Sequence, residues 1–151
     1  MKKIFILFIF IITSCGYQPL YKVDNKIVDL KLKDVKFVGN EKISKKIFTK
    51  LPFALVKNDE LLNTAIIDSS ISTIEASKNS KGQVTSYRTY LTVKFKILNN
   101  MNKTIDEKFY QKEFVYNTNE NKFKLREYQN KIEENLINNI IEDLIIYLNY
   151  S

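Results

Sequence analysis

Alternation of apolar and polar residues dominates the middle of the chain. Between Val84 and Leu98, Tyr87, Thr89, Leu91, Val93, Phe95 and Ile97 alternate with Arg88, Tyr90, Thr92, Lys94 and Lys96, the period of a strand with one buried face. Residues 27–38 repeat the pattern, with Val28, Leu30 and Leu32 opposite Asp29, Lys31 and Lys33. A change of phase near Asp34 then moves Val35 and Phe37 to the apolar side, which predicts a bulge or a break between two short strands. Gly39-Asn40 ends that segment. Over residues 41–51 the period changes: Ile43, Ile47, Phe48 and Leu51 share one helical face, Lys42, Lys45, Lys46 and Lys50 lie elsewhere, and Pro52 stops the helix.

A polar loop with Asn58, Asp59 and Glu60 follows, and residues 64–77, rich in Ile, Ser and Thr, read as a strand with Ile67 and Ile71 on one face and Ile66 and Ile74 on the other. Turn clusters at residues 78–82 and 99–103 flank the strand at 84–98, and a further strand over residues 105–116 forms a hairpin with it. Leu125, Tyr128, Ile132, Leu136, Ile140, Leu144 and Leu148 recur every three or four residues, and Ile137, Ile141 and Ile145 widen the stripe. That pattern suits a long helix laid across a sheet. The order β-α-β-β-β-α predicts an α+β two-layer sandwich: a four-stranded, mostly antiparallel sheet, two helices on one face, the other face free.

The first residues are of another kind. Lys2 and Lys3 precede nine apolar residues, Ile4 to Ile12, and then Thr13, Ser14 and Cys15. As a helix the apolar run would span about 14 Å, under half of a hydrocarbon core, so it reads as an export signal rather than a stable anchor. Ile12-Thr13-Ser14-Cys15 resembles the bacterial lipobox, which implies diacylglycerol on the Cys15 sulfur, cleavage before Cys15 and usually a further acyl chain such as palmitate on the new amino group. A free reactive thiol is the alternative. Two or three acyl chains anchor stably where one does not. The expected organisation is a lipoprotein signal peptide at 1–14, a lipidated tether at 15–26 and one domain at 27–151. Residue 16 is Gly, not the Asp associated with inner-membrane retention, so sorting to the outer membrane, on its periplasmic side, is expected.

Composition narrows the chemistry. With 44% hydrophobic and 27% charged residues, 3 Gly and 2 Pro in 151, the chain is that of one ordered globular domain. Histidine is absent and Cys15 is the single cysteine, which removes His-dependent triads, most zinc sites and any internal disulfide. No metal or cofactor is expected. Lys and Arg exceed Asp and Glu by 24 to 17, but 22 of the 24 are Lys, beside 16 Asn and 20 Ile, the residue usage of an AT-rich genome. Arg, the better bidentate reader of phosphates and bases, occurs twice, so nucleic-acid binding is not expected. Without residues 1–14, the remaining 137 hold 22 basic and 17 acidic residues, net +5. Lipid phosphates and lipopolysaccharide are the polyanions of the periplasm.

Tyr90, Lys94 and Lys96 share one side of their strand, and symmetric pairing about residues 99–103 would set Lys108, Tyr110 and Lys112 opposite them. Lysines about 5 Å apart repel unless an anion lies between them, which makes this face a candidate anion site; a solvated lysine face is the plainer reading. A one-residue slip in register would reverse the face. No G-x-S-x-G, P-loop or H-E-x-x-H occurs, and Glu133-Glu134 and Glu142-Asp143 fall on the polar side of the last helix, so catalysis is not expected. Nine tyrosines fit interface anchoring or strand propensity equally well.

Cys15-Gly16-Tyr17-Gln18-Pro19-Leu20-Tyr21 resembles the start of the mature LPS-assembly lipoprotein LptE family, alphaproteobacterial type, which often opens Cys-Gly-aromatic-x-Pro-Leu-Tyr. Gly82-Gln83, Thr85 and Tyr87, leading into Leu91-Thr92-Val93, are similar to that family's central glycine turn and long strand. The resemblance implies two helices on a four-stranded sheet and a non-enzymatic role: a plug in the outer-membrane β-barrel LptD that assists its assembly and helps insert lipopolysaccharide into the outer leaflet. It also implies lipopolysaccharide contacts at Lys78 or Lys81 beside Gly82, and at Lys122 or Lys124 before the last helix. A stand-alone envelope lipoprotein that binds lipid or braces another envelope complex is the other reading.

Overall fold

The computed structural model describes residues 30–56 and 59–150. The expected signal peptide at 1–14, Cys15 and the expected tether lie outside the described residues. Strand β1 (Leu30–Gly39) is followed by helix α1 (Glu41–Lys50), the short strand β2 (Phe53–Leu55), the long strands β3 (Asn63–Lys78), β4 (Val84–Leu98) and β5 (Thr104–Asn117), and helix α2 (Lys122–Tyr150). The sheet runs β2-β1-β3-β4-β5 and is therefore five-stranded, not four-stranded. It is also evenly mixed: β1 pairs parallel with β2 and β3, whereas β3–β4 and β4–β5 are antiparallel. The strand absent from the sequence reading is Phe53–Leu55. Three residues carry no period, and this strand exists because Phe53 and Leu55 lie level with Leu30 and Leu32. Parallel pairing follows from α1, which returns the chain to the end from which β1 started.

Local chemistry explains the boundaries. The register of β1 against β3 shifts between Leu32 and Asp34, where Asp34 turns its carboxylate onto the amide of Val35 at 2.8 Å; this is the predicted change of phase. Gly39 has φ +69°, and Asn40 caps α1 by accepting a hydrogen bond from the Ile43 amide at 3.2 Å. The β3–β4 and β4–β5 turns use one device. Asn79 accepts from the amides of Lys81 and Gln83 (both 3.0 Å), and Asn99 accepts from those of Met101 (3.0 Å) and Lys103 (2.9 Å). Gly82 (φ +77°) and Asn102 (φ 58°) take the left-handed position in the two loops.

Both helices pack on one face of the sheet. Ile43 and Ile47 of α1, and Ile132, Leu136, Ile137, Ile140, Ile141, Leu144 and Leu148 of α2, bury against Leu32, Ala65, Ile67, Leu91, Val93 and Phe95. Ring contacts at 5.8 to 5.9 Å between centroids link Phe37 to Phe48, Phe48 to Phe53 and Phe53 to Phe95, which secures the short β2. Helix α2, 29 residues and about 43 Å long, matches the 14 to 16 residues of β3, β4 and β5 in length. Among the described residues, no layer covers the opposite sheet face.

Candidate functional site

The chain direction sorts the loops into two ends. One end carries the β3–β4 turn and, because Thr118 donates its amide to the Thr85 carbonyl at 2.9 Å, the start of α2 as well. Lys78, Lys81, Lys122 and Lys124, distant in sequence, thus share one end of the sandwich. Lys78 forms an ion pair with Glu75 at 2.8 Å, and that hydrogen bond, together with the charge behind it, raises the Lys78 pKa above its ordinary value. Lys81 stands exposed on the asparagine-stapled turn.

Helix α2 begins against electrostatic preference. Asn121 caps it, accepting from the amides of Phe123 (3.0 Å) and Lys124 (3.1 Å), but its first turn holds no acid. Two lysines there face the positive end of the helix dipole, each unfavourable by about 0.3 to 1 kcal/mol unless an anion intervenes. Beside them lies a shallow polar cleft of about 270 Å³ lined by Asn117, Thr118, Asn119, Lys124, Leu125 and Tyr128. Tyr116 holds this end together. Its hydroxyl accepts from Thr89 at 3.3 Å and from Gln129 at 2.9 Å, and its ring meets Tyr87 and Tyr128, each at 5.9 Å. The sequence reading missed the cleft and the Tyr116 contacts. The missing acid after Asn121 was the one signal that could have pointed there.

The lysine ladder expected on the free sheet face does not form. Lys94 lies opposite Phe109 and Lys96 opposite Glu107, while Lys108 pairs with Phe95 and Lys112 with Leu91 on the helix-covered side. The cause is a bulge: Ile97 pairs with Asp106 and Leu98 with Thr104, so Ile105 drops out of register and every side chain beyond it changes face. Lys94 and Lys96 instead meet Glu107 at 3.9 and 3.2 Å, and Arg88 meets Glu113 at 3.7 Å. Lys108 sits 4.8 Å above the Tyr147 ring, and Lys112 bonds Asp143 of α2 at 2.6 Å. Between them, the Tyr110 phenol is pushed up by burial and by the nearby charges of Asp143 and Asp106. Lys94 and Lys108 are thus on opposite faces of the sheet.

These elements define a small α+β sandwich whose second sheet face is uncovered among the described residues. No protein-family model and no curated protein sequence matches the chain. Solved lipoprotein structures match it in fold. A rare lipoprotein B from Shewanella oneidensis aligns with a TM-score of 0.58 at 12% identity, over 78% of this chain and 96% of that one. A lipoprotein B from Nitrosomonas europaea gives 0.55 at 12% identity over 83% and 87%, and a minor lipoprotein from Acinetobacter baumannii gives 0.54 at 13% over 79% and 90%. The chain has the fold of these lipoproteins.

Proposed function

We propose that this protein is an outer-membrane lipoprotein of LptE type, anchored through lipid on Cys15, that plugs and helps assemble an LptD-like β-barrel and contacts lipopolysaccharide during its insertion into the outer leaflet. The observation that carries the reading is the convergence of Lys78, Lys81, Lys122 and Lys124 on one end, where a helix starts with basic residues and no acid. Anionic phosphate or carboxylate would relieve that unfavourable arrangement. The Asn- and Thr-lined cleft beside Lys124 offers hydroxyl-binding groups of the kind a saccharide head group uses. The likeness in fold to rare lipoprotein B structures and the Cys15-Gly16-Tyr17 opening point the same way. No step of this role calls for catalysis or a cofactor.

The test is to tag the C-terminus, solubilise the outer membrane in mild detergent, and identify co-purifying proteins by mass spectrometry. One large β-barrel in stoichiometric amount, retained through high salt, is the expected result. Recovery of the protein alone refutes the plug. Reversing charge at Lys81 and Lys124 together is expected to weaken lipopolysaccharide binding, whereas reversal at Lys94 or Lys108 serves as comparison. Equal loss at all four positions would move the contact away from this end.

A further inference from the structure

Among the described residues, the open edges of the sheet are blunted at every place but one. Strand β2 is three residues long. Beyond it, the outer side of β1 carries Lys33, Asp34 and Lys36 and a register shift between Leu32 and Asp34, where the Asp34 carboxylate already occupies the Val35 amide. Strand β5 has its bulge at Ile105 and charges at Asp106, Glu107, Lys108, Lys112 and Glu113. Short strands, charges and bulges are the devices that keep an edge from pairing. The exception is the outer half of β3. Strand β1 stops at Gly39, level with Ser69, and among the described residues no strand lies on that side of β3 from Ser70 onward. Ser70-Ile71-Ser72-Thr73-Ile74 holds no charge, proline or register shift, and Ser72, Thr73 and Ile74 stand exposed.

This edge forms a slot. The Asn40 amide donates to the Ser69 carbonyl at 2.7 Å, so Ser69 turns its backbone toward the β1 side; by the alternation of a strand, Ile71 and Thr73 aim theirs the same way, into the open. Gly39 and Asn40, leading into α1, close the slot at one end. Between α2 and the outer half of β3 lies a groove of about 300 Å³ whose lining includes Ile71, Thr73, Thr89, Gln129, Asn130 and Glu133. Glu133 is its one charged residue and forms no ion pair among the described residues. The stretch from Ser70 to Ser77 extends about 26 Å, room for a strand of about six residues. On the α2 side such a strand would meet the Glu133 carboxylate, which favours Lys or Arg. On the other side it would lie against Ser72 and the half-exposed Ile74, which favours an apolar residue. A second copy of the same edge presents Ile71, Thr73 and Glu75 on the α2 side, no base among them, and so does not complement Glu133.

We infer that the open edge of β3 takes up an extended segment of about six residues from the barrel partner as a sixth strand, held by the backbone of Ile71 and Thr73, with a basic side chain toward Glu133 and apolar ones toward Ile74. This deepens the plug reading and rests on it.

Hydrogen exchange at residue resolution tests the sixth strand. The lipidated chain purified together with the barrel from outer membranes in mild detergent is compared with the same lipidated chain overproduced alone. In the lone chain the Ile71 and Thr73 amides are expected to exchange freely, and those of Ser70 and Ser72, turned toward β4, slowly. In the complex the first two are expected to slow by about tenfold or more. Thr73→Pro, whose ring enters the slot without removing a bond to β4, should return Ile71 to its free rate in the complex while Ser70 and Ser72 stay slow. Thr73→Val, which loses only the hydroxyl that meets Thr89, should keep the protection. Glu133→Lys should speed exchange at Ile71 and Thr73 by about threefold, and unchanged rates overturn the basic side chain assigned to the segment. Free exchange at Ile71 and Thr73 in a complex that retains the barrel overturns the sixth strand and leaves the plug intact. Protection that survives Thr73→Pro overturns it as well. A chain recovered without a barrel removes the plug and the inference together. Protection already present in the lone chain assigns the edge to a second copy where sedimentation shows a dimer, and to residues 16–29 of the same chain where it shows a monomer; either overturns the barrel segment.

Discussion

Gly39 and Gly82 both adopt a left-handed backbone, at φ +69° and +77°, yet replacing them with alanine is expected to have very different costs. A Cβ at Gly82 meets nothing within 4 Å, so Gly82→Ala costs only the left-handed conformation itself, about 1 kcal/mol. A Cβ at Gly39 would lie 2.2 Å from the backbone oxygen of Ser69 and 2.8 Å from a carboxylate oxygen of Asp68. Relief requires the β1–α1 junction to move off β3 by more than an ångström. That movement breaks the bond from the Asn40 amide to the Ser69 carbonyl (2.7 Å) and disturbs the buried Ser69 hydroxyl, which donates to the Asn40 carbonyl at 2.9 Å and meets the Ser44 hydroxyl at 2.8 Å. Two or three hydrogen bonds at about 1 kcal/mol each, added to the conformational term, bring Gly39→Ala to about 4 kcal/mol. In urea, with a slope of about 2 kcal/mol per molar, the midpoint should fall by about 2 M for Gly39→Ala and about 0.5 M for Gly82→Ala. Far-UV circular dichroism measures both. Equal shifts for the two variants would refute the close approach of β1 to β3 at Ser69.

Two further outcomes follow from single side chains. Because the Tyr110 phenol ionises at higher pH in the fold than in the unfolded chain, its contribution to stability is complete below about pH 10 and is lost as the pH rises through the folded value. Tyr110→Phe should therefore flatten the alkaline fall in stability relative to the unsubstituted protein, with no difference in slope between pH 6 and 8; parallel alkaline limbs would refute the assignment. Tyr116→Phe removes the acceptor shared by Thr89 and Gln129 and should cost about 1 to 2 kcal/mol in urea unfolding without loss of helix signal; no change would mean that the hydroxyl is not the link between α2 and β4.

Much of the architecture was legible along the chain because each long element repeats its own period many times. Strand β4 occupies the predicted residues, and α1 and α2 carry their buried isoleucines and leucines where the helical stripes placed them. The phase change at Asp34 appears as a real shift of register. Two misses have a common origin. The three residues of β2 cannot display a period, and the single extra residue at Ile105 leaves the alternation within β5 intact while moving it to the opposite face relative to β4. Lys94 and Lys108 exchanged an expected encounter for partners on opposite sides of the sheet. The convergence of Lys78 and Lys81 with Lys122 and Lys124 required both the hairpin pairing and the amide bond from Thr118 to Thr85.

The sequence by itself determined the two helices, the strands long enough to alternate, and the turns built on Asn79 and Asn99, since all of these rest on interactions between residues near one another in the chain. Tertiary structure alone decided the fifth strand, the face each lysine occupies, and the gathering of Lys78, Lys81, Lys122 and Lys124 at one end. Those depend on register between strands, and register is chosen by the summed packing of a whole face against the helices, so that one bulged residue can redirect half a strand.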